Sequence, residues 1–194
     1  MTVSSPDTRP CAILRQEHQV ILRVLDVLEN LLDTGHTEGE PSHEALAQCL
    51  EFFHLFADVC HHGKEEDHLF PVLEARGVPR EGGPIGVMLE EHEVGRSLIK
   101  RMSNAFETLN EGDSVRDTDL PSAAADYLLL MRQHITKEDD VLFMIGDQVM
   151  TEVDQHDLAE RFCDVGCGDL GGQCHQQLEA LADDLATRWG SAPS

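Results

Sequence analysis

Apolar residues recur at helical spacing along four long stretches of the chain. In the first stretch Leu14, Ile21, Leu25 and Leu28 lie seven, four and three residues apart, and Pro10 before them suits the first turn of a helix. Equivalent patterns occur three more times. We predict helices over about residues 10–33, 42–71, 85–109 and 121–149.

The connections between these stretches are polar and rich in glycine and proline, as in HTEGEPS, RGVPREGGP and NEGDSVRDTD. Ser42 is the expected N-cap of the second helix, and Pro71 is expected to kink or end it. Four helices with one apolar stripe each and modest loops predict an all-α fold, an up-down-up-down four-helix bundle.

The sequence changes character after Met150. TEVDQHDLAERF is typical of a short helix, CDVGCGDLGGQC is glycine-rich, and CHQQLEALADDLATRWG predicts a last amphipathic helix. We therefore expect a bundle domain over residues 1–149 and a C-terminal helical appendage over residues 150–194 that packs on the bundle.

Charge and composition narrow the partners. The formal net charge is −23 and no basic stripe is present, so we expect no nucleic acid partner and no anionic membrane partner. No segment approaches the roughly 20 apolar residues that span a bilayer, and the N-terminal MTVSSPDTRP lacks the apolar core of a signal peptide. We expect a cytoplasmic protein whose six cysteines are unpaired.

The second half of the predicted bundle repeats the first. HHGKEEDHLF, which starts at His61, aligns with HITKEDDVLF, which starts at His134, and both fit H-x-x-K-E-[ED]-D-x-L-F. LRQEHQV around His18 likewise aligns with MLEEHEV around His92. The offsets are 73 (134 minus 61) and 74 (92 minus 18), so the bundle is interpreted as one helix pair used twice.

This repeat selects six candidate metal ligands, which are His18, His61, Glu65, His92, His134 and Glu138. Its two histidine–glutamate pairs have i,i+4 spacing, which places both side chains on one helix face. The competing register, His62 with Glu66, lacks a full counterpart because Ile135 occupies the position that matches His62.

Four imidazoles and two carboxylates in one core form a ligand set for two cations. A carboxylate can bridge two ions, and imidazole suits iron, zinc or copper and not calcium or magnesium. One isolated histidine–glutamate pair is usually a solvated hydrogen bond, but two copies with two matched Glu-His sites favour a metal site. Carboxylates buried without a cation would cost several kcal/mol each.

These motifs resemble the hemerythrin-like (HHE cation-binding) family over about residues 11–148. The resemblance is carried by EH at 17–18, HHGKEEDHLFP at 61–71, GPIGVMLEEHE at 83–93 and HITKEDDVLF at 134–143. It implies a non-haem centre of two iron ions, bridged by oxo or hydroxo and by the carboxylates of Glu65 and Glu138.

The chain departs from the oxygen-carrying members of that family. Their third helix supplies two histidines four residues apart, whereas here the fourth residue after His92 is Arg96, which cannot ligate a cation. One iron would then hold a water, another side chain or an open position, and His62 is the candidate to fill it. Asp139 matches the aspartate of the oxygen carriers and is the alternative to Glu138.

An open position favours reaction over storage of dioxygen. The expected function is therefore the binding or sensing of dioxygen, peroxide or nitric oxide, and the alternative is a di-iron enzyme with peroxidase- or catalase-like, nitric oxide or iron-handling activity. A ferritin-like oxidase would need a carboxylate-rich set with Glu-x-x-His spacing, whereas this set is histidine-rich with spacing four. A second metal or redox site is a lesser alternative for Cys163, Cys167, Cys174 and His175, which do not match the cysteine pairs of zinc ribbons.

Overall fold

The structure is a computed structural model that describes residues 8–34, 42–109, 114–166 and 175–190, and within these ranges the chain is helical with no strand. The all-α prediction is confirmed. Helix α1 spans Pro10–Thr34, α2 covers residues 43–75, and α3 spans Pro84–Glu107. A 3-10 turn, Val115–Asp117, precedes α4 over residues 120–149, and α5 and α6 span Glu152–Gly166 and His175–Trp189.

Helices α2 and α4 change from α-helical to wider π-helical turns and back. In α2 the order is α-helical His43–Phe52, π-helical Phe53–His62, π-helical Glu65–Leu69 and α-helical Phe70–Ala75. In α4 the order is α-helical Leu120–Lys137, π-helical Glu138–Leu142 and α-helical Phe143–Val149. The π-helical turns that begin at Glu65 and Glu138 occupy matching positions of the repeat.

The structure confirms the predicted start of α2 but places its end beyond Pro71. Ser42 is the N-cap, and its hydroxyl accepts a hydrogen bond from the backbone N–H of Ala45 at 3.3 Å. Pro71 does not end the helix, since α2 continues to Ala75. Pro71 lies just after the π-helical turn Glu65–Leu69, where the regular i→i−4 hydrogen bonds are already interrupted, so its missing N–H costs less than in the middle of an α-helix.

Two apolar clusters fill the interior. The larger cluster includes Ile21, Leu25, Phe53, Leu98, Met102, Tyr127 and Ile135. The smaller cluster includes Cys11, Leu14, Leu69, Phe70, Met88, Leu142 and Phe143. Between these clusters lies a layer of buried polar side chains, here called the polar layer: Glu17, His18, His61, His62, Lys64, Glu65, His92, His134 and Glu138.

Each of the first four helices crosses the polar layer, and the direction of crossing alternates. Helix α1 passes from the smaller cluster at Leu14 to the larger cluster at Ile21, whereas α2 passes from the larger cluster at Cys60 to the smaller at Leu69. Helix α3 again runs from the smaller cluster to the larger, and α4 returns.

The last two helices pack on opposite ends of this arrangement. Leu158 and Phe162 of α5 belong to the smaller cluster, and Leu178, Ala182 and Leu185 of α6 belong to the larger one. Among the described helices, none combines the length and the apolar character needed to cross a membrane.

Candidate metal centre

The structure brings all six residues selected by the repeat, and His62 with them, into the polar layer. Each of the seven residues is at most 3% exposed. Their donor atoms fall into two groups, and within each group the atoms lie within 4.8 Å of one another. The three-histidine group consists of His62, Glu65, His92 and His134, and the two-histidine group consists of His18, His61, Glu65 and Glu138.

Both glutamates lie between the two groups. Glu65 places Oε1 3.5 Å from Nε2 of His61 and Oε2 3.4 Å from Nε2 of His92, so each of its oxygens faces a different group. Glu138 places Oε2 3.2 Å from Nε2 of His18 and 3.3 Å from Nε2 of His134. The two carboxylates are therefore arranged as bridges.

The inward-facing atoms lack hydrogen-bond partners among the residues that the structure describes. These atoms are Nε2 of His18, His61, His92 and His134, both ring nitrogens of His62, and both oxygens of Glu65 and Glu138. Buried polar atoms are nearly always satisfied, and each one left without a partner costs about 1–3 kcal/mol. Cations bound by these atoms would remove that cost.

The spacing and chemistry of the donors fit transition-metal ions. When two ligands bind one ion at right angles with bonds of about 2.0–2.2 Å, their atoms lie about 3 Å apart, close to the 3.2–3.5 Å nitrogen–oxygen separations here. Imidazole nitrogen with carboxylate oxygen suits iron, zinc, copper or manganese better than calcium. The donor set therefore fits two such ions.

Outer carboxylates fix the orientation of four of the five imidazoles. The Nδ1 atom of each ring lies within hydrogen-bond distance of one carboxylate: His61 of Glu17 at 2.9 Å, His92 of Glu66 at 2.6 Å, His134 of Glu91 at 3.1 Å and His18 of Asp139 at 2.9 Å. A carboxylate only accepts, so Nδ1 carries the proton and Nε2 presents its lone pair to the interior. This is the arrangement that metal-binding histidines adopt.

Each outer carboxylate is paired with a cationic side chain. Lys64 donates to Glu17 and Lys137 donates to Glu91. Arg96 donates to Glu66 at 2.6 Å, and Arg15 lies 4.0 Å from Asp139. Together with the histidines, these cations lower the pKa values of Glu17, Glu66 and Glu91 below their usual range, against the opposing effect of burial.

The pKa values divide the imidazoles into two kinds. Burial lowers the pKa of His61 to about 4, and burial together with the neighbouring His92 ring lowers the pKa of His62 well below its usual value. Burial also opposes charge on His18 and His134, but nearby carboxylates raise the pKa of both rings. Asp139 and Glu138 raise the pKa of His18, and Glu138 is the main carboxylate that raises the pKa of His134 to about 9. Each group thus contains one imidazole whose pKa is lowered and one whose pKa is raised.

The two bridging glutamates have opposite tendencies when no cation is present. Burial and the nearby Glu138 carboxylate raise the pKa of Glu65 well above its usual range. The pKa of Glu138 lies below its usual range because the imidazoles of His134 and His18 outweigh the effect of burial. One of the two carboxyls must lose a proton before both can serve as anionic ligands.

Aromatic rings close the layer on the side of the smaller cluster. Phe143 stacks on His18 with ring centroids 5.4 Å apart, and Phe70 stacks on His92 at 5.9 Å. Both phenylalanines are the last residue of the repeated motif. The last position of the motif therefore packs against a histidine of the facing helix and helps to hold its ring in place.

The π-helical turns explain how adjacent His61 and His62 both face inward. A wider turn reduces the angle between consecutive residues below the about 100° of an α-helix. The His62 ring stacks on His92 with centroids 3.8 Å apart, whereas His61 lies against His18 at 4.7 Å. Neighbouring residues therefore serve different groups.

The structure places the two remaining candidates differently. Asp139 lies on the outer nitrogen of His18, with its side chain 27% exposed, and Glu138 faces the interior. Arg96 lies outside the groups and contacts Asp58 at 2.8 Å as well as Glu66. Asp58 in turn lies 3.5 Å from Nδ1 of His62, too far for a hydrogen bond.

Sequence reasoning did not assign the outer carboxylates or their cations. The signal was present, because Glu17 matches Glu91 and Lys64 matches Lys137 in the repeat. Glu66 and Asp139 likewise occupy the variable acidic position of the motif. A polar residue that recurs in the repeat can therefore be either a candidate metal ligand or a hydrogen-bond partner that orients one.

The C-terminal cysteines are only partly within the described residues. Cys163 is an exposed free thiol on α5, and Cys11, Cys49 and Cys60 are free and buried. Cys167 and Cys174 lie outside the described ranges. His175 contacts Glu17 in the polar layer, with its Nε2 2.9 Å from Oε1 of Glu17.

Comparison with known proteins gives one family and several relatives. The family model for the hemerythrin HHE cation binding domain matches residues 9–145. Uncharacterised proteins from two strains of Mycobacterium tuberculosis and from Mycobacterium bovis are each 29% identical to the chain over 160 residues. The aligned region covers 82% of this chain and 61% of each relative, so the chain spans about three fifths of their length. No solved structure matches.

Proposed function

The chain belongs to the hemerythrin HHE cation-binding family, and on that basis we propose that it holds two non-haem iron ions that bind or sense dioxygen or a related small ligand, such as peroxide or nitric oxide. The three-histidine group would hold one ion and the two-histidine group the other, with Glu65 and Glu138 bridging. The iron pair supplies redox-active positions for a small ligand.

One observation supports this proposal. Every histidine of the two groups has a buried ring nitrogen with no hydrogen-bond partner among the described residues, and so do both oxygens of the two glutamates grouped with them. A solvated or purely structural polar cluster would satisfy these atoms internally. The unsatisfied atoms support a site designed for positive ions.

The fold proposed with this site is an up-down-up-down four-helix bundle over residues 1–149 with the appendage over residues 150–194. The alternating order in which α1 to α4 cross the polar layer supports that topology, because antiparallel neighbours pass between the two clusters in opposite directions. The family match ends at residue 145, near the proposed boundary.

The two groups would take different parts in ligand binding. The two-histidine group has Ile135 where the repeat offers His62 to the other group, so it contributes one imidazole fewer. We assign the position for the small ligand to this group. Ile135 is itself 3% exposed and belongs to the larger cluster, so the ligand would meet an apolar surface that excludes water.

The same open position favours a second candidate, a di-iron enzyme that turns over peroxide or nitric oxide or oxidises iron. A Lewis-acidic ion with a free coordination position activates a bound ligand. The two candidates differ in the fate of the bound ligand, since a sensor keeps its ligand and an enzyme releases a product.

Metal content and spectroscopy of the purified protein test the proposal. We expect about two irons per chain, distinct optical spectra of the ferrous and ferric forms, and loss of both ions in the His61→Ala/His134→Ala variant. Exposing the ferrous protein to dioxygen and then peroxide separates the candidates: a stable, reversible spectrum supports binding, and turnover supports the enzyme. A wild-type protein that takes up no iron, zinc or cobalt would overturn both.

A further inference from the structure

The two outer glutamates of the repeat have different surroundings. Glu17 and Glu91 each accept from a histidine and from a lysine, but Glu17 has a third partner, Nε2 of His175, 2.9 Å from its Oε1. His175 begins α6, outside the repeated helices. Among the described residues, none from α5 or α6 lies within hydrogen-bond distance of Glu91.

The surroundings of His175 hold its ring in place. The ring lies against Phe56 with centroids 4.9 Å apart, and the side chain is 19% exposed. Its Nδ1 lies 3.7 Å from Glu179, one turn further along α6. The helix itself is attached through Leu178, Ala182 and Leu185, which are fully buried in the larger cluster.

The division of donors on Glu17 links α6 to the polar layer. His175 and Lys64 both donate to Oε1, which leaves Oε2 to accept from Nδ1 of His61 at 2.9 Å. Two donors on one oxygen fix the rotamer of the carboxylate, and the carboxylate in turn fixes the ring and tautomer of His61. Without His175, Lys64 alone would hold Oε1.

We propose that His175 is a positioning residue for the two-histidine group, through which α6 docking and cation binding at that group strengthen each other. The coupling is reciprocal: whatever α6 adds to cation affinity, the cation adds to the docking of α6. Among the described residues, the outer glutamates of the three-histidine group have no hydrogen bond to α6, so this group keeps its outer support when α6 is undocked. This inference uses only the cation-binding part of the proposed function.

The same cluster could instead be a third cation site, since Glu17, Cys60 and His175 have converging donor atoms. The ammonium of Lys64 already neutralises Glu17, and a metal ion there would have to displace it. Burial also raises the pKa of Cys60 to about 11, so a metal ion there would have to remove the thiol proton as well. The cluster is a charge-balanced support for His61.

Titration with Co(II), whose optical spectrum reports ligand geometry, tests the proposal on the full chain. In His175→Ala we expect one of the two ions to bind about 3- to 10-fold more weakly, a smaller loss than the about 10–100-fold that removal of an outer carboxylate itself causes, with a changed spectrum for that ion only. His175→Gln should recover part of the affinity, since its amide N–H can donate to Glu17. His156→Ala is the matched control, because His156 on α5 has the same i,i+4 glutamate but is 73% exposed.

Hydrogen exchange in the wild-type protein tests the reciprocal effect and needs no variant. We expect Co(II) to slow exchange across residues 175–189, and His175→Ala to abolish that effect while the three-histidine group still fills. Equal affinities in wild type and His175→Ala, with exchange in α6 unchanged by Co(II), would overturn the inference alone. Wild-type protein that binds no Co(II) would overturn the proposed function as well.

Discussion

The two halves of the polar layer share one plan in different environments. In both halves a glutamate accepts from a histidine of the long motif and from the lysine three residues further on. Glu17 and Lys64 are 4% and 2% exposed, beneath α6, whereas Glu91 and Lys137 are 17% and 41% exposed. The same contacts are therefore buried in one half and partly exposed to solvent in the other.

The ligand groups differ in the opposite sense. His62 gives the wetter half a third imidazole, and Ile135 gives the covered half an apolar side chain. The duplicated positions thus supply a symmetric pair of sites, and the few positions that depart from the repeat make one site richer in ligands and the other more enclosed. Substitutions at both kinds of position, and changes of pH, test this division.

Removing the carboxylate that both groups share should abolish the distinction between them. In Glu65→Gln we expect neither ion to bind at concentrations that saturate the wild type, an affinity loss larger than the about 100-fold upper range for outer partners. Because burial and the Glu138 carboxylate raise the pKa of Glu65 and so disfavour its charge, the uncharged amide should not destabilise the cation-free protein, which should unfold no earlier than the wild type. Metal analysis and thermal unfolding measure the two effects.

Asp67→Asn is the matched control for that variant. Asp67 lies in the same π-helical turn but is exposed. If Glu65→Gln retained two tightly bound ions, the shared-bridge assignment would be wrong.

Breaking the buried glutamate–lysine pair should lower the free energy of unfolding more than breaking the exposed pair. Glu17→Gln leaves the ammonium of Lys64 buried without its carboxylate, which costs about 3–5 kcal/mol for a buried pair. Glu91→Gln leaves Lys137 in water, where the loss is about 0–1 kcal/mol. Urea unfolding of the cation-free proteins compares them, and equal losses would contradict the difference in burial.

Exchanging the residues at the variable position should reverse the asymmetry of the ligand groups. His62→Ala should weaken one ion by about 10–100-fold, within the range for perturbed metal ligands, and leave the other in place. Ile135→His should add an imidazole to the two-histidine group and slow its reaction with peroxide or nitric oxide. Calorimetric titration and stopped-flow spectroscopy monitor these changes, and an Ile135→His variant that reacts at the wild-type rate would argue against the open position.

The pH dependence of cation binding should report the imidazoles whose pKa is raised. The pKa of His134 is raised to about 9 without a cation, so this ring carries a proton at neutral pH that an ion must displace, and the pKa of His18 is raised in the same direction. Affinity should fall as the pH drops from 9 to 6, by about tenfold per pH unit for each proton displaced. Proton release on adding Zn(II) in weakly buffered solution measures the number.

The stability of the fold should depend on pH through the same imidazoles. A raised histidine pKa stabilises the cation-free fold below the unfolded value of 6.5, and this contribution is lost as the pH rises through about 9. The cation-loaded protein has no such proton to lose. Loading should therefore stabilise the fold more at pH 9 than at pH 7, and the opposite trend would contradict the assignment.

The sequence was sufficient for the helical fold and for the six inward-facing side chains that the repeat selects, because both depend on periodicity and on an internal repeat. Apolar spacing located the helices to within a few residues, and the equal offsets singled out the six histidines and glutamates that lie together in the structure. One His–Glu pair could be either a metal site or a solvated hydrogen bond, and the internal repeat favoured the metal site.

The rest depended on backbone geometry and on distant contacts that periodicity does not encode. The π-helical turns at Phe53–His62, Glu65–Leu69 and Glu138–Leu142 carry no residue signature, so the shared inward direction of His61 and His62 was left open. The contact of His175 with Glu17 joins residues 158 positions apart and breaks the repeat. Such a contact can be recognised only once the packing of α6 on the other helices is known.

The position of Glu65 has a consequence for the order in which ions enter. One of its oxygens faces each group, and burial with the Glu138 carboxylate raises the pKa of Glu65 well above its usual range. A first ion bound to either oxygen would favour the charged carboxylate, so the second ion would meet an oxygen that is already anionic. Entry of the first ion should therefore release more protons than entry of the second.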